Sequence, residues 1–364
     1  MRWPSIQSAR TRAAPRFESR QSAHLLACVY IYSPGYSAPF AAPTIPSKGQ
    51  STQYREASYI LPHDAIRLRT DDARIVSLAD RLWDPAPEGA PRARPERAPI
   101  VLTIDVSQAE AGTPPAGSLD ERWTIGADDA ELYLGEQLWA RIDCGRGTLD
   151  AHVSSVLVAE RPSLVARLLL ETPAGALLAR RAYGVVHAGA VVGPAGAVVI
   201  RGAPGAGKST LVAALHRAGL GVLGDETVLA ARNDPDELLA AVRDVTLLPS
   251  AARLLDLEDA VTPAGTSTEE KYRLDLFASS APAARRARRA AAVLLGPRNG
   301  GPARLDPLAP GEFLEDFRRG EIQQERWSGT PQHIAAHWAE RGAYRLSGAV
   351  DLAGAVSLLQ GLVA

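Results

Sequence analysis

The chain has 364 residues, of which 46% are apolar and 22% are charged, and its formal net charge is -1 at pH 7. This length suits two domains, or one large domain with an extension, and the composition is that of a globular protein. A charge so close to zero argues against nucleic acid or an anionic membrane as the main partner. The two cysteines, Cys28 and Cys144, are too few for a disulfide framework or a four-ligand zinc site. A reducing, cytoplasmic compartment is therefore expected.

Residues 1–52 differ in character from the rest of the chain. They hold six basic residues against one acid, many Ser, Ala and Pro, and no sustained hydrophobic period. Such a segment buries too little apolar area to offset its ordering entropy, so we expect it to be disordered. A mis-assigned translation start or a basic targeting peptide would have the same appearance. The apolar run 25–32 is too short to span a bilayer, and we do not expect secretion.

A β-rich region is predicted from residue 53 to residue 175. It begins with a half-buried strand at 65–69 and an amphipathic helix at 73–83, followed by a linker rich in proline and charge at 84–99. Glycine-containing turns then separate four predicted strands of a β-meander, at 123–125, 130–134, 138–144 and 148–158. The segment 163–170 is compatible with either a helix or a strand.

The region 176–364 alternates strands and helices, and we expect it to be the nucleotide-binding and catalytic domain. Strands are predicted at 184–192, 196–201, 221–223 and 293–295. Helices are predicted at 208–218, 235–242, 283–292, 331–342 and 352–362. Gly219 follows the first of these helices, at a position where a left-handed residue is favourable. The sequence therefore predicts an α/β (α+β) fold with a β-rich N-terminal part.

A phosphate-binding loop follows the strand 196–201. The predicted nucleotide-contacting residues are Gly202, Ala203, Pro204, Gly205, Ala206, Gly207, Lys208, Ser209 and Thr210. The strand–loop–helix context is the one that this motif requires. Its glycines let backbone N–H groups converge on phosphate oxygens, and the following helix adds the positive end of its dipole. We expect Lys208 to bridge the β- and γ-phosphates of ATP and the Ser209 hydroxyl to ligate Mg²⁺.

An acidic pair, Asp225-Glu226, comes directly after the next predicted strand, 17 residues beyond Lys208. One intervening helix would return the chain so that both carboxylates lie beside the loop. We expect one carboxylate to hold Mg²⁺ and the other to accept a proton from an attacking hydroxyl. A solvated acidic turn is the alternative, but the apolar pairs 222–223 and 228–229 on either side favour a fixed position.

Three segments together resemble the HPr serine kinase/phosphorylase group, most closely its HPr kinase-related branch. They are His187-Ala-Gly-Ala, the loop with Lys208-Ser-Thr, and Gly221-Val-Leu-Gly-Asp-Glu-Thr-Val. The likeness is tightest over 183–230 and looser over about 54–360. It implies a phosphoenolpyruvate carboxykinase-type fold and ATP-dependent phosphorylation of a serine on a protein or peptide. By the same resemblance, Asp225 is the base, Glu226 a Mg²⁺ ligand and His187 a residue that lines the site.

Two departures from the family pattern bear, in turn, on the geometry of the metal site and on the acceptor. Glu226 stands where well-known members carry Asp, and the segment Gly296-Pro-Arg-Asn299 is only a superficial echo of the family's Pro-Gly-Arg-Asn segment. The acceptor is therefore either HPr-like or a ribosomally made peptide, and reverse phosphorolysis is in doubt. Members of the family are often oligomeric, so a homo-oligomer is a further expectation.

Two other functions fit the same motifs. A small-molecule P-loop kinase would use the arginine run 285–289 as a lid, although a solvated helical face is the simpler interpretation of that run. A nucleotide-gated regulatory ATPase would need no hydroxyl acceptor. Lys271 and Arg273 could reach a phosphate, but pairing with adjacent acids is favoured. His333 and His337 have metal-compatible spacing and are interpreted as surface or packing residues. Three tryptophans are assigned to cores: Trp123, Trp139 and Trp338.

Overall fold

The computed structural model describes the chain from residue 53 onward, with gaps. The described residues are 53–61, 64–83, 98–108, 121–240, 245–263, 271–274, 276, 284–297, 300–321, 325, 332–348 and 350–364. They contain helices and three β-sheets, which confirms the mixed α/β content expected from the sequence. The predictions for residues 1–52 and for most of the linker 84–99 lie outside the described residues.

The first sheet has seven strands in the order β1-β2-β3-β7-β6-β5-β4. The strands are β1 (Arg55–Leu61), β2 (Asp64–Thr70), β3 (Ile100–Ser107), β4 (Glu121–Ile125), β5 (Asp129–Leu134), β6 (Leu138–Asp143) and β7 (Thr148–Ser154). β2, β3 and β7 run parallel and the remaining neighbours are antiparallel, so the predicted meander forms one half of this sheet. Every second residue is buried along most of these strands, which is the pattern of a sheet with one covered face.

Helices cover the apolar face of the first sheet. They are α1 (Ala73–Leu82), α2 (Ser155–Glu160), α3 (Pro162–Val165), a π-helical turn at Ala166–Glu171 and α4 (Thr172–Ala179). The strand predicted at 148–158 is too long, because Ser154 ends it. The Ser154 hydroxyl accepts a hydrogen bond from the Leu157 N–H at 3.1 Å and so caps α2. The ambiguous segment 163–170 is helical.

The second sheet has nine strands and contains the phosphate-loop motif. The strands are β8 (Tyr183–Val186), β9 (Gly189–Gly193), β10 (Gly196–Arg201), β11 (Gly221–Gly224), β12 (Val228–Ala231), β13 (Glu237–Ala240), β17 (Arg286–Leu295), β18 (Arg304–Pro307) and β19 (Ala343–Ser347). β17 pairs with three strands. Its first residues, 286–288, are antiparallel to β13, whereas 289–294 run parallel to β10 and 292–295 run parallel to β19. Helices lie on both faces, with α5 (Lys208–Arg217) and α9 (Leu352–Gly361) on one and α7 (Pro310–Arg319) and α8 (Gln332–Glu340) on the other.

Three predicted elements of this region were wrong. The strand predicted at 184–192 breaks at His187-Ala188, because β8 pairs with β12 whereas β9 pairs with β10 and β11. The helices predicted at 235–242 and 283–292 are absent from their described residues, which form β13 and most of β17. Alanine and arginine have high helix propensity, but strand pairing along both edges of β17 outweighs it.

A small third sheet packs beside the second in the order β14-β16-β15. Its strands are β14 (Val245–Leu247), β15 (Val261–Pro263) and β16 (Tyr272–Leu274), and the helix α6 (Pro249–Leu254) follows β14. Val245, Leu247 and Leu274 are buried in the same core as α5. Among the helices that the structure describes, none has the length and apolar character needed to cross a membrane.

Candidate functional site

Three strands of the second sheet bring the candidate residues to one edge. β10 ends at Arg201 and enters the phosphate loop, and β11 ends at Gly224, just before the acidic pair. β9 is antiparallel to both, with Ile200 opposite Gly189 and Gly224 opposite Ala190. The start of β9 therefore lies where β10 and β11 end. This topology brings His187, the loop and Asp225 together.

The loop between β10 and α5 needs glycine at two positions for its backbone path. Gly205 has φ of 76° and Gly207 has φ of 96°, both in the left-handed region that other residues rarely adopt. A Cβ at Gly205 would have no atom within 4 Å, so the backbone angle and not the space accounts for glycine there. α5 begins at Lys208, so the positive end of its dipole faces the loop.

Lys208 is buried and lies across the loop that precedes it. Only 8% of the surface of this residue is exposed to solvent. The ammonium Nζ donates a hydrogen bond to the carbonyl oxygen of Gly202 at 2.9 Å and contacts that of Ala203 at 3.5 Å. A positive charge is thus held at the loop mouth, where it can meet an anionic ligand.

Asp225 is a buried carboxylic acid beside this loop, and the residue is 2% exposed. Its Oδ2 accepts a hydrogen bond from the Thr246 N–H at 3.2 Å, whereas Oδ1 has no hydrogen-bond partner among the described residues. Burial, together with the charge of Glu226, raises the pKa of Asp225 to about 7. Ser209, the Thr246 N–H and the charge of Lys208 oppose this rise only in part. A carboxyl group with such a pKa can take up and release a proton near neutral pH.

Glu226 points to the surface of the same site. Its side chain is 56% exposed. Its Oε1 accepts a hydrogen bond from the Thr246 hydroxyl at 3.3 Å and lies 3.9 Å from Lys271 Nζ. Lys271 therefore pairs with an acid of the candidate site, whereas the acids next to it in sequence lie outside the described residues. One residue of β14, Thr246, contacts both carboxylates of the pair.

His187 lies at the break between β8 and β9, and its ring faces the acidic pair. Its Nδ1 is 2.8 Å from the carbonyl oxygen of Glu226. Because a carbonyl oxygen only accepts, Nδ1 carries the proton, and in the neutral ring Nε2 is left as an acceptor. Burial and the charge of Lys208 lower the pKa of His187, which favours the neutral ring despite Glu226 and Glu325 nearby.

Two features of the site were missed by sequence reasoning. Arg201 and Glu325 form a buried, two-point ion pair next to the loop. Glu325 is distant in sequence and has no motif, so only the fold reveals it. Gly189 lies against Asp225: a Cβ there would approach Val212 Cγ2 to 2.5 Å and Asp225 Oδ1 to 3.7 Å. The glycine of the His187-Ala-Gly-Ala segment was an indication of this close approach, but a role in the site was predicted only for the histidine.

A polar cleft lies on the other side of the loop from the acidic pair. Its volume is about 340 Å³ and its lining consists of Gly300, Gly301, Pro302, Arg304, Asp306, Ser347 and Gly348. β17 connects it to the loop, because a Cβ at Gly202 would approach Leu295 Cβ to 2.9 Å. The backbone N–H of Gly296, the residue after Leu295, donates to Leu346 in the strand that ends beside the cleft. The loop thus lies between the cleft and the acids along one sheet edge.

The secondary candidates lie elsewhere or have structural partners. His337 Nε2 is 3.0 Å from Asp236, and His333 Nε2 is 3.2 Å from the Arg232 carbonyl, so the two histidines do not share a ligand. Within the described part of the chain, no three His, Cys, Asp or Glu side chains converge as a metal-binding group. Trp338 is fully buried in a core, as predicted. The two other tryptophans that were assigned to cores are partly exposed. Trp123 packs against the first core, and Trp139 stacks on His152.

The arginine run 285–289 lies at the start of the interior strand β17 and is not a helical face. Arg286 pairs with Glu237, Arg288 with Asp234 and Arg289 with Asp236. These partners lie on or just before β13, which is the neighbour of β17. The run is therefore engaged in holding the sheet together, which removes the support for an arginine lid.

A scan against protein-family models finds no match to the chain, and a search of curated proteins finds no significant similarity.

Proposed function

We propose that this chain is an ATP- and Mg²⁺-dependent kinase that transfers the γ-phosphate to a serine hydroxyl of a protein or peptide. The observation that carries the proposal is the position of Asp225, a buried carboxyl group with a pKa near neutrality that lies beside the phosphate loop. A group that must take a proton from a hydroxyl works best when its pKa is close to the working pH. The resemblance to HPr kinase-related proteins supports the same reaction and a phosphoenolpyruvate carboxykinase-like core.

Each residue of the candidate site would have a different role in the proposed reaction. The loop from Gly202 to Thr210 would hold the phosphates through its N–H groups, and Lys208 would neutralise charge on the β- and γ-phosphates. The acceptor oxygen would attack the γ-phosphorus while its proton passes to Asp225. The bond to the β,γ-bridging oxygen breaks, and ADP leaves. His187, whose Nε2 can accept a hydrogen bond, would line the place where the serine hydroxyl enters.

The site has the donor set that Mg²⁺ prefers. The oxygens available are the Ser209 hydroxyl and the Glu226 carboxylate, with the unpartnered Oδ1 of Asp225 close by. Mg²⁺ is commonly held by one or two protein oxygens, with phosphate oxygens and water completing its shell. When bound, the ion would offset charge on the phosphates.

The position of the cleft beyond the loop supports one orientation of the bound nucleotide. Phosphates on the loop can extend towards Asp225 on one side or towards the cleft lined by Arg304, Asp306 and Ser347 on the other. We propose that the γ-phosphate faces the acids and that the base and ribose lie towards the cleft. In open α/β sheets, ligands bind along the carboxyl ends of the strands in this way.

Incubation with γ-labelled ATP, Mg²⁺ and the peptides encoded by neighbouring genes tests the proposal. We expect label on a serine of one peptide, and no label with the Lys208→Ala variant as the matched control. Label on a metabolite would indicate a small-molecule kinase instead. Release of free phosphate alone would indicate a regulatory ATPase without an acceptor, and either result would overturn the proposed function.

The remaining expectations follow from the same proposal. A kinase of this kind would act in the cytoplasm on an HPr-like protein or a ribosomally made peptide, and it would not need nucleic acid or a membrane. Self-association into a homo-oligomer is part of the family resemblance and is tested by sedimentation of the purified chain.

A further inference from the structure

A buried ion pair lies directly behind the phosphate loop. Arg201 is 3% exposed and Glu325 is fully buried. Two guanidinium nitrogens of Arg201 meet the two carboxylate oxygens of Glu325, with Nη2 at 3.0 Å from Oε2. Arg201 also lies over the Phe317 ring, with its Cζ 4.0 Å from the ring centroid. Two-point pairing of this kind fixes both partners in one orientation.

Stability alone is a weak explanation for this pair. Removing two charges from water costs several kcal/mol per ion, and well-packed apolar residues often replace a buried pair without loss of stability. The hydrogen bonds that the pair makes to other groups offer a further explanation for its presence next to the candidate site.

The pair holds the backbone of His187 at both of its polar groups. Glu325 Oε1 accepts a hydrogen bond from the His187 N–H at 2.7 Å, and Arg201 Nη1 donates to the His187 carbonyl oxygen at 3.2 Å. His187 lies at the break between β8 and β9, where the sheet ladder provides no regular partner for these groups. The ion pair replaces that ladder at one residue.

The same pair is joined to the loop and to α7. Arg201 directly precedes Gly202, the first residue of the loop. Its Nη2 also donates to the carbonyl oxygen of Phe317 at 3.1 Å, near the end of α7. The position of His187 is therefore tied to the start of the loop by one rigid guanidinium group.

We infer that Arg201 and Glu325 are positioning residues, which hold His187 in register with the phosphate loop. The His187 ring in turn contacts the backbone carbonyl oxygen of Glu226. This inference rests on the proposed function for its kinetic consequence. A small displacement between reacting groups lowers the rate of a reaction far more than it weakens binding. Loss of the pair should therefore slow phosphate transfer while largely sparing ATP affinity.

The test compares Glu325→Gln and Arg201→Lys with a matched buried pair far from the loop. Arg289 and Asp236 form that control, because the Arg289 side chain is 2% exposed and its Nε lies 2.8 Å from Asp236 Oδ1. We expect Glu325→Gln and Arg201→Lys to lower the turnover of γ-labelled ATP with Mg²⁺ by about tenfold to a hundredfold, with ATP affinity within about threefold of the wild type. Asp236→Asn should lower the melting temperature without changing turnover per folded molecule.

A double variant separates positioning from folding. Arg201→Met with Glu325→Leu replaces the pair by apolar side chains of similar size, so we expect its melting temperature to lie above those of the two single variants. The turnover should stay low, because the His187 N–H and carbonyl groups still lack their partners. Wild-type turnover in this double variant would overturn the inference.

A spectroscopic readout makes the inference independent of the enzyme assay. The ring nitrogen signals of His187 can be assigned by their loss in His187→Gln, and they report whether Nδ1 still donates to Glu226. We expect these signals to shift in the Glu325 and Arg201 variants and to stay unchanged in Asp236→Asn. Unchanged signals in all variants would contradict positioning. If wild-type protein neither binds nor turns over ATP, the proposed function fails, but the His187 signals still decide this inference.

Discussion

Two buried aspartates of the second sheet show how differently the same side chain is used. Asp225 is 2% exposed and Asp236 is 7% exposed. Asp236 contacts Arg289 at 2.8 Å and His337 at 3.0 Å. Burial alone would raise the pKa of Asp236, but the His337 hydrogen bond and the charge of Arg289 outweigh it, and the pKa is lowered.

Among the described residues no such pair of cations contacts Asp225 directly, and its pKa is raised to about 7. The two differ in their partners as well as in their burial, which is more complete at Asp225. A satisfied, ionised carboxylate such as Asp236 stabilises the fold, whereas a buried carboxyl group that titrates near neutrality is a feature of functional sites. Its partners give Asp236 a structural role, and the contrast supports the catalytic role that we propose for Asp225.

The largest effect is expected from Asp225→Asn. The amide keeps the shape of the side chain but cannot accept the proton of the attacking hydroxyl, so transfer should fall by about 10²–10⁴-fold. ATP affinity should stay within a few-fold of the wild type, because the loop is unchanged. Transfer of label from γ-labelled ATP and equilibrium binding of ATP measure the two quantities. Near-wild-type transfer would show that Asp225 is not the base.

Lys208→Ala should separate binding from proton transfer. It removes the charge that lies across the loop, and a hydrogen bond to a charged group contributes about 1.5–3 kcal/mol. We expect ATP to bind about a hundredfold more weakly, as measured by titration calorimetry. Lys271→Ala is the control, since Lys271 lies 3.9 Å from Glu226 at the surface of the site. Equal losses from both variants would argue against a special role for Lys208.

Asp236→Asn should produce the opposite pattern from Asp225→Asn. It leaves the Arg289 guanidinium buried without a carboxylate, and breaking a buried pair costs about 3–5 kcal/mol of folding free energy. Transfer per folded molecule should be unchanged, because Asp236 lies outside the candidate site. Denaturant unfolding and the transfer assay on the folded fraction check both parts. A loss of transfer without a loss of stability would reverse the assignment.

Glu226→Gln is expected to have the smallest of these effects. Its side chain is 56% exposed, and we assign it to Mg²⁺ and not to proton transfer. The amide is a weaker metal ligand than a carboxylate, so half-maximal transfer should need about tenfold more Mg²⁺. At saturating Mg²⁺ the rate should recover. A rate that does not recover would assign Glu226 a direct part in the reaction.

The strand–loop–helix context of the phosphate site followed directly from the sequence, because local residues determine it. The loop glycines predicted a tightly turning backbone, and the structure has φ of 76° at Gly205 and 96° at Gly207. The spacing from Lys208 to Asp225 predicted that one helix would return the acids to the loop. The structure places Ser209 and Lys208 close enough to Asp225 to affect its pKa.

The features that were missed depend on partners far apart in the chain. Glu325 is 124 residues from Arg201, and no local pattern indicates that pairing. Thr246, which contacts both acids, lies on a short strand that the sequence did not predict. The part of β17 up to residue 292 was predicted to be helical, because alanine and arginine favour a helix locally, and only 293–295 was predicted as a strand. The strand form of the earlier part depends on neighbours on both sides.

Our proposal depends on the raised pKa of Asp225, which lets this carboxyl group take up a proton near neutral pH. The most direct test is the free energy of unfolding of wild type and Asp225→Asn, each without Mg²⁺, from pH 4 to pH 8. The folded pKa lies above the unfolded value of 3.8, so between these values the folded state binds more protons and wild type loses stability as the pH rises. Asp225→Asn lacks this loss.

We therefore expect the stability of Asp225→Asn relative to wild type to rise with pH and to level off above about pH 7. The total change should be on the order of 4 kcal/mol, which is the value of about three pKa units. A difference that does not vary between pH 4 and pH 8 would contradict this expectation, because Asp225 would then ionise in the folded chain as it does in the unfolded one.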